Sequence, residues 1–177
     1  MQNVLAPSSV ATPVRPVVRP VIRRAGAATN FLQQRLLECR TDYQFIAMLD
    51  AYRGNGGLAR AQEVVALFKR CRGADGARLA SQIVRRKVIC FEWESTLWLP
   101  LFQFNRVDMT LRPGLSQVLT ELTAVYDPWE LALWFAEPNP WLSERTPADM
   151  LGSDLCGVLR AARADQFSAE GRTDQVA

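Results

Sequence analysis

Apolar side chains recur at three- and four-residue intervals along most of the chain. They break into strict alternation near Ile89 and resume helical spacing from Pro113. The first rhythm puts side chains on one face of a helix, the second on one face of a strand. Helical spacing begins near Thr29, where Leu32, Leu36 and Cys39 share a face. "TDYQ" (Thr41 to Gln44) has the form of a capping box and predicts the start of a second helix. That helix is expected to turn Phe45, Leu49 and Tyr52 inward and to end at "GNGG", Gly54 to Gly57. A third helix carries Leu58, Ala61, Val65 and Phe68. "GADG" (Gly73 to Gly76) then leads into a short fourth helix from Ala77 to about Arg86.

The alternation of Ile89, Phe91 and Trp93 with Val88, Cys90 and Glu92 predicts a strand. Glu94-Ser95 is the expected tight connection, and Leu97 to Phe104 the returning strand. Pro100 cannot donate to a ladder, so that strand is expected at an edge or bulged there. Glu92 and Glu94 could be paired for acid–base work, but nothing around them suggests a site, and solvated hairpin charges are the simpler reading.

After the hairpin, a helix starting near Pro113 aligns Leu115, Val118, Leu119, Leu122 and Val125. "DPWELALWF" opens with Asp127 as N-cap, Pro128 at the first helical position and Glu130 at the capping-box site. Its helix is apolar nearly all round and is expected at the centre of a small bundle. "TPAD" repeats the device with Thr146 and Pro147. A last helix to about Phe167 buries Leu155, Val158, Leu159 and Ala162. In the connection "PNPWL", Trp141 with Leu142 is expected to pin the chain onto the bundle. The fold class expected is mainly α: an N-terminal helical, helix-turn-helix-like region, a β-hairpin and a small C-terminal helical bundle.

The fourth helix separates two faces. Leu79, Ala80, Ile83 and Val84 form an apolar side, while Arg78, Ser81, Gln82 and Arg85 recur at helical spacing on the other. Arginine, serine and glutamine reach base edges and phosphates from the major groove. Helix, glycine turn and polar-basic helix is the outline of a helix-turn-helix, and these four residues are the candidate DNA contacts. A plain surface helix beside a basic region has the same look.

Composition narrows the chemistry. The chain has no histidine, which removes Ser-His and Cys-His nucleophile pairs, histidine metal sites and the commonest general base. A binding protein is therefore expected rather than an enzyme, with no cofactor or metal. A hydrolase or transferase built on carboxylates is the residual catalytic reading. The four cysteines, Cys39, Cys71, Cys90 and Cys156, have neither zinc-ligand nor CxxC spacing. Buried free thiols in a reducing cytoplasm are expected. No apolar run is long enough to span a bilayer, and none at the N-terminus resembles a signal peptide.

Charge is unevenly placed. Residues 51–90 hold nine basic residues against two acidic, and residues 91–177 hold six against thirteen. A basic front and an acidic back suggest an anionic partner for one and a different partner for the other, or mutual attraction between the two. Residues 1–28 add four arginines, four prolines and no acid, and read as a disordered arm that could follow phosphates or simply be a leader.

"LPLFQFN" (Leu99 to Asn105), "RPGLSQVLTEL", "DPWELALWFAEPNPWL", "TPADML" and "VLRAARA" together resemble the toxin-binding domain of Xre/MbcA/ParS-type antitoxins. The resemblance covers roughly residues 88–167. It implies an antitoxin of a type II system that neutralises an NAD-consuming RES-domain toxin by covering its active site. It also implies contact through the last helix and tail, operator DNA as a second partner, and a homodimer or larger hetero-oligomer. Mapped onto this sequence, the exposed toxin-binding candidates are Arg160, Arg163 and Asp165. The front half lacks a well-formed Xre-type helix-turn-helix and has only the outline near Gly73 to Arg86. The other reading is a DNA-binding transcriptional regulator whose C-terminal bundle only dimerises. The expected division is an arm over 1–28, a helical, possibly DNA-binding region with the hairpin over 29–105, a toxin-binding domain over 106–170 and a tail over 171–177.

Overall fold

The computed structural model of the chain describes residues 25–72 and 76–173. Most of the expected arm, residues 73–75 of the glycine turn and residues 174–177 of the tail lie outside the described residues. The chain divides into two compact units, Met1–Leu37 and Glu38–Ala177. The described part of the first unit is helical, the front of helix α1 (Ala25–Tyr52). The second unit holds the rest of α1 and every later element, and the expected boundary at 105/106 falls inside it.

Helix α1 runs through "TDYQ" without a break, which corrects the expectation of two helices. The polar side chains that mimic a cap have distant partners instead. Asp42 Oδ1 accepts from Trp93 Nε1 at 3.4 Å, and Gln44 Oε1 accepts from Trp129 Nε1 at 3.2 Å. The inward set is Phe45, Met48 and Tyr52. Leu49 lies one residue around the helix from Met48 and is partly exposed. Leu36 and Cys39 are also exposed. Tyr52 stacks on Phe102 with centroids 5.4 Å apart, and its hydroxyl donates to Ala132 O at 2.5 Å.

Past α1, Gly56 and Gly57 take φ of 106° and 85°, and the Gly57 N–H donates back to Tyr52 O. This sharp exit aims Leu58–Arg60 along the hairpin as strand β1, where a helix start was expected. Helix α2 (Ala61–Arg72) follows, with Glu63 Oε2 accepting the Arg60 N–H at 2.8 Å. Helix α3 (Gly76–Val84) rests on it through Leu79 and Ile83. Ala80 and Val84 are exposed, so the apolar side of α3 is narrower than its sequence pattern.

Strands β2 (Phe91–Trp93) and β3 (Thr96–Pro100) form the expected hairpin around Glu94 and Ser95, whose positive φ angles of 46° and 57° suit a two-residue turn. Glu92 and Glu94 are exposed. With β1 the sheet is three-stranded and antiparallel, in the order β1-β3-β2. β3 is therefore central and not an edge strand. Pro100 fits because β2 begins, at Phe91, opposite Trp98, so Pro100 is paired on one side only, with Leu58. Period two sends Ala59 and Leu99 into one apolar cluster with Val64, Phe68 and Leu79. It sends Leu58, Phe91 and Trp98 into the other. The sheet lies between two packed layers.

The larger cluster is built by α4 (Leu115–Leu122), α5 (Pro128–Ala136), α6 (Pro147–Met150) and α7 (Leu155–Thr173). α4 buries Leu115, Val118, Leu119 and Leu122 as the spacing predicts. The capping box of α5 is complete, with Asp127 Oδ1 accepting from Glu130 N at 2.8 Å and Glu130 Oε2 from Asp127 N at 2.9 Å. α5 buries Leu131, Ala132, Trp134, Phe135 and Ala136 and is the centre of the bundle. The fold is mainly α with a small antiparallel sheet. Among the described residues, no helix is long and apolar enough to cross a membrane.

The thiols depart from expectation. Cys39, Cys71 and Cys156 are exposed, and Cys90 is half-buried, with burial pushing its thiol up to about 11. Cys39 lies in residues 33–40 of α1, all of them exposed, and Cys71 and Cys156 occupy exposed positions of α2 and α7. In the native protein near pH 8, a thiol reagent is expected to modify Cys39, Cys71 and Cys156 quickly and Cys90 slowly. Peptide mass spectrometry of timed samples checks the order, and equal labelling of all four contradicts it.

Candidate functional site

The segment that carries the family resemblance folds into a stiff corner. Pro138 and Pro140 follow α5, and Asn139 organises the turn. Its Oδ1 accepts from Trp141 N at 2.9 Å, and its N–H donates to Arg145 O at 3.1 Å. Leu142 is buried, whereas Trp141 is 66% exposed, which corrects the expectation that both side chains pin the corner. Adjacent residues of a tight 3₁₀ turn point in different directions, so only one of the pair enters the core.

The corner packs against α7. That helix buries Val158, Ala161 and Ala162, while Leu155 and Leu159 are half-buried. Of the three toxin-binding candidates, Arg160 is exposed. Arg163 is exposed too, and its Nε donates to Glu121 Oε1 at 3.0 Å. A surface pair of this kind contributes at most about 1 kcal/mol, so a partner can recruit the guanidinium. Asp165 is not a free surface carboxylate. Its Oδ2 accepts from Trp134 Nε1 at 2.8 Å and from Asn139 Nδ2 at 2.9 Å, tying α5 and the corner to α7. Two residues further on, Phe167 is 79% exposed. Trp141 and Phe167 are exposed aromatics outside the expected contacts: Trp141 was expected to pin the corner, and Phe167 only marked the end of the last helix.

On α3 the structure brings three of the four DNA candidates to one exposed face. Arg78, Ser81 and Arg85 are exposed, whereas Gln82 is half-buried and its Oε1 is shielded from solvent without a hydrogen-bond partner. Gln82 thus leans toward the protein. The two candidate sets occupy different supports, α3 resting on α2, and α7 on α4 and the corner.

Among the described residues, no group of three or more histidine, cysteine, aspartate or glutamate side chains could hold a metal ion. What the corner and α7 can do chemically is present aromatic and guanidinium groups to another surface. No protein-family model matches the chain, and no curated protein or solved structure matches it either.

Proposed function

We propose that the chain is a cytoplasmic, non-enzymatic antitoxin-like protein that binds a RES-type toxin through α7 and the corner at residues 139–142. The observation that carries this reading is the exposure of Trp141 and Phe167 on the packed pair of corner and α7, with Arg160 and Arg163 on the same helix. Tryptophan and arginine are the residues that dominate protein–protein binding energy. A single exposed apolar residue is ordinary on a surface. Here the cap and proline chemistry of the family-like segment holds the backbone of the exposed tryptophan in a fixed place. That backbone rigidity favours recognition, because little main-chain freedom remains to be lost on binding.

In this reading α3 would serve operator binding, with Arg78, Ser81 and Arg85 outward and Gln82 as a partly withdrawn fourth member. The alternative, a regulator whose C-terminal bundle only dimerises, uses the same exposed surface for a second copy of the chain.

The test is coexpression with the product of the adjacent gene. An antitoxin is expected to copurify with that product and to rescue cells from its toxicity. Trp141→Ala combined with Arg160→Ala is expected to weaken the complex at least about tenfold, in the range of a hot-spot loss, while leaving the fold intact. A neighbouring product that is neither toxic nor bound rejects the reading. Self-association lost in the same variant supports the regulator.

A further inference from the structure

The C-terminal end of α3 has a construction of which the proposed surfaces use only Arg85. Arg86 follows the helix at φ 51°, a left-handed conformation that glycine adopts freely and arginine does not. Its N–H donates to Ile83 O, and the Lys87 N–H donates to Gln82 O, both at 2.9 Å. These are the paired bonds of a Schellman stop, a position usually taken by glycine. Arginine there costs about 1 kcal/mol.

The guanidinium offsets that cost. Nη1 donates to Thr123 O and Nη2 to Tyr126 O, each at 2.9 Å, at the C-terminal end of α4, where the helix dipole favours a cation. Arg86 therefore joins the end of α3 to the end of α4. Its neighbours Arg85 and Lys87 are both exposed.

Arg85, Arg86 and Lys87 line a cleft of about 230 Å³ together with Ser116, Thr120 and Thr123 of the α4 side. The three hydroxyl residues recur at four- and three-residue spacing, on one side of the helix. Thr120 donates its proton to Ser116 O at 2.8 Å, which leaves the hydroxyls of Ser116 and Thr123 as donors to the cleft. Among the described residues, no carboxylate lines it. With the Arg86 guanidinium already spent on two carbonyls, Arg85 and Lys87 face the hydroxyl row with no carboxylate in the cleft, an incomplete electrostatic arrangement. A multivalent oxyanion completes it, and a phosphate group accepts both guanidinium or ammonium and hydroxyl donors.

We infer that this cleft binds a phosphate group, supplied by a nucleic-acid backbone or by a free phosphorylated small molecule. The cleft shares Arg85 with the α3 surface but rests on Arg86, Lys87 and the α4 hydroxyls. It therefore stands whether or not α3 reads an operator and whether or not a toxin is bound.

The test uses the full chain with two probes, a short labelled DNA duplex followed by fluorescence anisotropy and pyrophosphate followed by calorimetry. Arg85→Ala with Lys87→Ala is expected to weaken binding about tenfold and to lower the salt slope for the duplex by about 2. Lys69→Ala with Arg70→Ala removes the same charge from the exposed side of α2 and is expected to weaken binding less than about threefold. The charge-neutral pair Ser116→Ala and Thr123→Ala is expected to weaken it about threefold. Pyrophosphate that binds and competes with the duplex identifies a site for free phosphates, and duplex binding alone identifies a backbone site. Equal losses from the two charge pairs, or no binding of either probe by the wild type, overturns the inference. Circular dichroism of each variant confirms the fold, since the replaced cations are on the surface.

Discussion

Replacing Gln103 by leucine is expected to destabilise the protein by about 3 kcal/mol, read as a lower urea midpoint at unchanged slope. Gln103 is fully buried between the two apolar layers, at the end of the 3₁₀ turn that follows β3. Its Oε1 accepts from Ile89 N at 2.8 Å and its Nε2 donates to Ile89 O at 2.9 Å. The amide thus acts as one more strand residue, pairing the chain just before β2 where no backbone is available. Leucine fills nearly the same volume but leaves a buried N–H and a buried C=O unpaired. Each such group costs about 1–3 kcal/mol, against a total stability of about 5–15 kcal/mol.

Gln103→Glu separates hydrogen bonding from shape. A protonated glutamic acid can donate to Ile89 O and accept from Ile89 N, whereas the carboxylate can only accept. Burial raises a carboxyl group's folded value above its unfolded value near 4.3. Stability of this variant is then fully present below that pH and is lost as pH rises. The variant should lie near wild type in acid and near Gln103→Leu at neutral pH, each compared with wild type at the same pH. Parallel pH profiles for Gln103→Glu and wild type would contradict the pairing role.

Gln103 also marks the limit of what the sequence makes legible. Devices that act within four residues were readable: Asp127, Pro128 and Glu130 on α5, and Thr146 and Pro147 on α6, form the caps their order predicts. The hairpin was readable because alternation and a two-residue turn are also local. The same local logic failed at Thr41 to Gln44, where a cap-like string is interior helix because Trp93 and Trp129 supply the partners. β1 was missed because three residues are too few for a period, and its strand character comes from pairing with β3.

Site residues follow the same division. Helical spacing placed Arg78, Ser81 and Arg85 together on an outer face. It could not register that Gln82 leans inward or that Asp165 holds Trp134 and Asn139. Those facts depend on residues 26 or more positions away, or on which neighbouring helix happens to cover a face. The exposure of Trp141 beside buried Leu142 has the same origin.

Gly114→Ala is expected to destabilise the protein by about 3 kcal/mol, for two reasons that can be measured separately. Gly114 caps α4 at φ 84°, where an alanine costs about 1 kcal/mol of backbone strain. A Cβ there would also lie 2.5 Å from both methyl carbons of Leu155, the first residue of α7. Relieving that overlap costs about 1–3 kcal/mol, toward the low end if the leucine can turn aside. Leu155→Ala in the Gly114→Ala background removes the overlap and leaves the strain, so a double-mutant cycle should return a favourable coupling of about 1–2 kcal/mol. Gly152→Ala is a matched control. Its Cβ would meet only the end of the flexible Arg112 side chain at 3.3 Å, without a positive φ, and it should cost well under about 1 kcal/mol. If overlap at Leu155 displaces the start of α7, Gly114→Ala should also weaken binding of the toxin partner proposed above beyond its loss of folded protein, although Gly114 belongs to neither proposed contact. Additive single mutants, with partner affinity unchanged once corrected for the folded fraction, would place the whole effect in the backbone of Gly114 and none in the aim of α7.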